Sequence, residues 1–187
     1  KKLKDLQKKS YKNFYLTNTY ISKKIDIYRS SIEEKKIKSN STKKLKSKLK
    51  IIHITNFNQR FDGRLHYNTG KRLQNGLIRL GHNVLAISDR DIISKNKTFN
   101  DLSGKKSLQS AIINSCKNIK ADCIILGHAD AVQNDTLEVL KNSNKGLKIC
   151  QWFLDPIDKN GPDYNKNNDR INQKAKFLDA TFITTDP

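Results

Sequence analysis

The chain has 187 residues and a formal net charge of +19, from 37 basic and 18 acidic residues. That length suits one α/β domain with an extension. No run approaches the ~18 consecutive apolar residues that a membrane-crossing helix requires, and the basic start lacks the continuous apolar block of a secretory signal.

The charge is unevenly placed. Residues 1–50 hold 17 basic and 4 acidic residues, a net +13, and the remaining 20 and 14 leave +6. Such an arm could hold an anionic membrane surface, nucleic acid or an acidic partner, or serve as a solvated linker. Lys outnumbers Arg 30 to 7. The residue better suited to bidentate phosphate contact has not been chosen, so nucleic acid is not the expected partner. The chain opens on Lys1 and stops at Pro187 directly behind an apolar run, and reads as a piece of a longer protein. Cys116, Cys123 and Cys150 form no CxxC pair. They read as reduced thiols without zinc, in a cytoplasmic protein that could sit peripherally on a membrane.

In chain order, residues 1–49 contain neither Gly nor Pro. Tyr11, Phe14, Asn18, Ile21, Ile25, Tyr28 and Ile32 alternate at spacings of 3 and 4. This predicts a helix with one apolar seam, able to self-associate or to pack on a domain. Residues 36–49 read as a charged tether. From residue 50 the texture changes. KIIHITN (50–56) predicts a buried strand. YNTGKRLQNGLIRLG (67–81) predicts a helix with Leu73, Leu77, Ile78 and Leu80 on one face, stopped by Gly81. NVLAIS (83–88) predicts a strand, and 89–106 an irregular polar stretch. Residues 107–119 predict a helix with Leu108, Ala111, Ile112, Cys116 and Ile119 on one side. A strand (121–127), a short helix (134–143), a strand (147–155), a helix (171–179) and a strand (180–186) follow. Five strands alternating with helices demand a doubly wound, mainly parallel, Rossmann-like sheet.

Ligands of such sheets bind beyond the carboxyl ends of the strands, and that rule selects the candidate residues. The first loop, NFNQRFDGRLHYN (56–68), lacks GxGxxG, which argues against a dinucleotide. Asp62, Gly63, Arg64 and His66 are its candidate substrate contacts, able to meet a polar or anionic group at the following helix N-terminus. DRD (89–91) has the form of a metal-binding DxD, but that motif belongs to another fold, and no metal is expected. GHAD (127–130) follows a strand directly, so His128 and Asp130 should project into the cleft, His128 as a general base. QWFLDP (151–156) ends a strand with Trp152, suited to stacking on a sugar or base, and Asp155, a carboxylate with few reasons to be in a core. His53, inside the first strand, reads as a satisfied core residue and His82 as a turn residue. GxSxG, HExxH and P-loop motifs are absent from the sequence.

The segment NGLIRLGHNVLAISDRD resembles the first helix and second strand of GT-B-fold glycosyltransferases, with Leu77, Gly81, His82 and Val84 in the pattern Leu-x-x-x-Gly-His-x-Val. ADCIILGHAD, ICQWFLDP and LDATFITTDP look like the group-1 type, and in particular its spore-maturation-protein-like branch. The resemblance covers about residues 50–187. It implies the N-terminal, acceptor-side lobe of an enzyme that moves a sugar from a nucleotide-sugar donor, with a second lobe that holds the nucleotide. It further implies no cofactor beyond the donor, a fragment inactive alone, and His128 and Asp155 as the catalytic candidates. Two other readings compete with it: a non-catalytic binder of anionic surfaces or nucleic acid through the basic arm, and a receiver-like domain, which would need an Asp that residues 50–56 lack.

Overall fold

The β-branched run at residue 50 forms strand β1, Lys50–Thr55, every residue of which after the first is buried. The computed structural model describes residues 48–64, 66–99 and 101–184. The proposed seam at 11–32 and all but the last two residues of the tether at 36–49 lie outside the described residues. Behind β1 come helix α1 (Thr69–Arg79), β2 (Asn83–Ser88), α2 (Asp89–Lys95), α3 (Lys105–Ile119), β3 (Cys123–Gly127), α4 (Asn134–Ser143), β4 (Lys148–Phe153), α5 (Tyr164–Asn172) and β5 (Ala180–Ile183). Two single 3-10 turns, Gln59–Phe61 and Ala175–Phe177, sit in the connections.

The five strands form one sheet in the order β2-β1-β3-β4-β5. Every neighbouring pair is parallel. Helices cover both faces, as a Rossmann-like α/β fold requires. On one face Ile52, Ile54, Ile87, Ile124, Leu126 and Ile149 meet Leu108, Ile112 and Cys116 of α3 and Leu137 and Leu140 of α4 in a single buried core. Alternation along the strands sends the intervening residues, His53, Thr55, Gly127 and Trp152 among them, to the opposite face. There α1 packs beside β1 and β2, close enough that a Cβ on Gly70 would stand 2.6 Å from the Thr55 methyl carbon.

Three local expectations need correction. The stretch from residue 89 is not irregular throughout: α2 starts there, with Asp89 and Asp91 in its first turn and Ile92 and Ile93 packed on the core. Acidic residues at a helix N-terminus are favoured by the macrodipole, a signal that the polar composition masked. The last helix runs over Tyr164–Asn172 rather than 171–179. Its sequence, YNKNNDRIN, carries almost no apolar period, and the visible Phe177 and Leu178 belong to a 3-10 turn that packs on the core. Finally, α1 faces the sheet with buried Gly70 and Gln74, whereas Leu73, Ile78 and Leu80 are exposed. The stripe at i and i+4 that touches the sheet is Gly70 and Gln74, and Gly70 permits the close approach. Gly81 does stop α1. Its φ is 87°, its N–H donates to the Ile78 carbonyl, and the His82 N–H donates to Leu77, the paired bonds of a Schellman turn. His82 is a turn residue whose Nδ1 accepts from the Leu49 N–H at 3.2 Å.

Candidate functional site

Parallel strands put all their carboxyl ends on one edge, and the order β2-β1-β3 reverses direction at β1. The crevice expected at that switch is present. A cavity of about 400 Å³ is lined by Thr55, Asn56, Asn68, Thr69, Gly70, Arg90, His128, Trp152, Leu154, Asp155 and Arg170. A second, of about 410 Å³, lies between Asp155, Pro156, Tyr164, Asn167 and Arg170. Asp155 and Arg170 line both.

Arg170, on α5, organises the cluster. Its guanidinium donates to Asp155 Oδ2 at 2.9 Å and to both oxygens of Asp130, at 3.2 and 2.8 Å. It also lies 5.0 Å over the Phe153 ring. Hydrogen bonding to Asp130, and then Asp155, holds its pKa above the usual arginine value. Asp130 and Asp155 stay 48% and 44% exposed, so both carboxylates remain in contact with solvent, and of the two only Asp155 lines the cavities.

His128 takes a left-handed backbone, φ 47°, which is unusual for a residue with a side chain. The turn swings its ring onto Phe153, with centroids 4.6 Å apart. The Leu154 N–H donates to Nε2 at 3.2 Å. A neutral imidazole has one lone pair, so this bond assigns the ring proton to Nδ1. Nδ1 faces Asp155 Oδ2 at 3.6 Å and the Arg170 guanidinium at 3.1 Å. At 3.6 Å the carboxylate is beyond hydrogen-bond distance, so Asp155 acts on the ring through its charge alone. Burial pushes the His128 pKa down, against Asp155, which raises it. His128 is therefore a neutral ring whose lone pair is engaged while the Leu154 bond lasts.

Trp152 spans three strands. Its indole lies on Gly127 of β3, where a Cβ would stand 2.1 Å from Cζ2. Its Nε1–H donates to His53 Nε2 on β1 at 3.1 Å. His53 is fully buried, and burial lowers its pKa to about 4. The expectation of a satisfied core histidine holds for one nitrogen: Nδ1 has no partner. The Phe57 ring stands nearly perpendicular to His53, with centroids 5.5 Å apart.

Of the sequence-selected residues, the fold brings His128, Asp130, Trp152 and Asp155 together. Asp62, Gly63, Arg64 and His66 are exposed on the first loop and line neither cavity. His66 Nδ1 turns back to the Gly63 carbonyl at 2.8 Å, and Arg64 lies over Phe61. The same loop reaches the cavity through Asn56 and Asn68 instead. Asn68 caps α1 by accepting from the Lys71 N–H and ties back to the Asn56 carbonyl. In DRD both carboxylates are buried. Asp91 accepts from the Ser88 hydroxyl and from the Gln59 and Arg60 N–H groups, which pins the loop down. Among the described residues no three His, Cys, Asp or Glu side chains are grouped to hold a metal.

Arg170, Arg90 and Lys174 are not among the sequence-selected site residues, and His53 is read there only as a core residue. Lys174 is only 6% exposed beside Asp130 and Arg170, and burial lowers its pKa. For Arg170 one signal existed: in a chain with 30 Lys and 7 Arg, an arginine marks a position where a planar fork is needed. No protein-family model matches the chain, and no curated protein matches it.

Proposed function

We propose that this cleft is the acceptor side of a glycosyltransferase site and that a second, nucleotide-holding lobe completes it. The observation that carries the reading is the composition of the cleft at the switch point. A carboxylate with one oxygen tied and one free, a planar cation, amide and hydroxyl groups and an indole converge on a space of about 400 Å³. Sugars present hydroxyls around an apolar ring, and such a mixture suits both. The pattern of Gly81-His82, Trp152 and Asp155 that resembles the GT-B enzymes supports it from the sequence.

On this reading Asp155 accepts the proton of the acceptor hydroxyl. Arg170 fixes one carboxylate oxygen and leaves the other for substrate. His128 orients Asp155 from its Nδ1 side and holds the Leu154 backbone. Trp152 supplies the surface on which the sugar ring lies. The donor is a nucleotide sugar, and no further cofactor is invoked.

The test is transfer by the full-length protein from a panel of nucleotide sugars, followed by mass spectrometry of the product. Asp155→Ala or His128→Ala should slow transfer by about 10²-fold or more, the scale of general acid–base catalysis, with the fold retained. Unchanged turnover in both variants would overturn the assignment of the site.

A further inference from the structure

Between α2 and α3 the chain makes a tight turn that has no part in the cleft. It displays Phe99 at 99% exposure and Leu102 at 79%. Isolated exposed apolar residues are ordinary, but these two sit on a turn built to present them. Thr98 and Asp101 exchange backbone hydrogen bonds, both at 3.1 Å. The Asp101 carbonyl also accepts from the Gly104 N–H at 2.9 Å. Its carboxylate accepts from the Ser103 hydroxyl at 3.1 Å and from the Ser107 N–H at 3.0 Å. Gly104, at φ 68°, presses on the Ile93 carbonyl, where a Cβ would be 2.3 Å from the oxygen. The turn is thus braced from within and against α2, and neither apolar side chain is part of the bracing.

The charge around the turn has one sign. Lys95, Lys97, Lys105 and Lys106 are all exposed. Asp101 is the only acidic residue from 92 to 106, and it is buried in the bracing. Because α3 runs antiparallel to the strands, its first turn stands on the carboxyl edge of the sheet, the edge that carries the cleft.

We infer that this turn is an interfacial docking site for an anionic lipid bilayer, into which Phe99 and Leu102 insert while the four lysines meet the headgroups. The surface is convex, and a bilayer, unlike a protein partner, needs no complementary pocket to receive such side chains. Its composition is Phe, Leu and Lys, as at membrane interfaces. Protein-binding hot spots favour Trp, Tyr and Arg, and none of these is present from 92 to 106. The positive charge complements an anionic leaflet. The inference is independent of the chemistry assigned to the cleft.

The experiment uses the whole chain, with phosphatidylcholine vesicles made with and without phosphatidylserine, at moderate salt and at a higher salt that screens the basic arm. Binding is expected only with the anionic lipid. Lys95→Gln with Lys97→Gln should weaken it by about fivefold for each lysine. Phe99→Ser with Leu102→Ser should weaken it by about tenfold or more, even where salt is high. In a chain carrying Phe99→Trp, emission should shift to the blue on the vesicles and be quenched by brominated acyl chains, while the wild-type chain, with Trp152 alone, is not quenched. Absence of vesicle binding would overturn the inference, as would binding that the double serine variant leaves unchanged. The latter would assign adhesion to the arm's charge alone.

Discussion

Gly127→Ala tests the packing under the cleft with one added carbon. The backbone at Gly127 is ordinary strand, paired with Thr55 and Trp152, so alanine brings no conformational strain. The damage is steric. The new Cβ would lie 2.1 Å from Trp152 Cζ2, 2.3 Å from Cε2 and 2.7 Å from Nε1, well inside van der Waals contact. The ring must lift off the sheet, and Nε1 must leave His53. Overpacking of this kind costs about 1–3 kcal/mol. The His53 acceptor, left buried without its donor, adds about 1–3 kcal/mol. A total of about 2–6 kcal/mol follows, or a fall of roughly 5–20 °C in Tm for a domain of this size. Trp152 is the single tryptophan of the chain, so urea unfolding followed by its emission reads stability and ring environment together. The native emission of the variant should move to the red as the indole gains solvent. A loss below about 1 kcal/mol with unchanged emission would refute the placement of the indole on Gly127.

Stability should also depend on pH through His53. Its pKa falls from 6.5 to about 4 on folding. Above 6.5 the contribution is fully present, and it is lost as the pH falls to about 4, where the folded ring at last accepts the proton. The loss is about 3 kcal/mol at most. His53→Gln, which keeps an acceptor for the indole, should flatten that limb of the stability curve measured by urea unfolding; an unchanged slope would contradict it. Asp179 accepts from Lys148, Lys141 and the Ile149 N–H, with its pKa well below the usual carboxylate range chiefly through Lys141. Asp179→Asn should cost about 1–2 kcal/mol at neutral pH, and the difference should close in acid below the ordinary carboxylate pKa, as thermal unfolding at both pH values would show. Arg170→Met should lower stability by about 1–2 kcal/mol, because its partners are solvent-screened, yet abolish saccharide binding, measured by calorimetry on the same protein.

The sheet was legible because its strands are short β-branched runs between turn signals: NVLAIS and the helix at 134–143 match to the residue. Elements without an apolar period were not. Helix α5 is half Asn and Asp, and is held by Asn167 donating to the Pro156 carbonyl, a contact no local pattern announces. The rule of strand ends located His128, Asp130, Trp152 and Asp155, since it depends only on where strands stop. It could not reveal Arg170, whose partners lie 15, 40 and 42 residues away. Nor could it show that His53 holds an indole 99 residues distant. In the first loop Asp62, Gly63, Arg64 and His66 are exposed and line neither cavity, whereas Asn56 and Asn68, which carry no charge to single them out, line one.

The central claim is that a sugar occupies the cleft between Trp152 and the Asp155–Arg170 pair. Its most direct measurement is titration of Trp152 emission in the whole chain with a panel of methyl pyranosides and disaccharides, in parallel with Arg170→Met. A saturable change is expected with at least one saccharide, absent from the variant. Emission that stays flat across the panel, or that responds equally in both proteins, would contradict it.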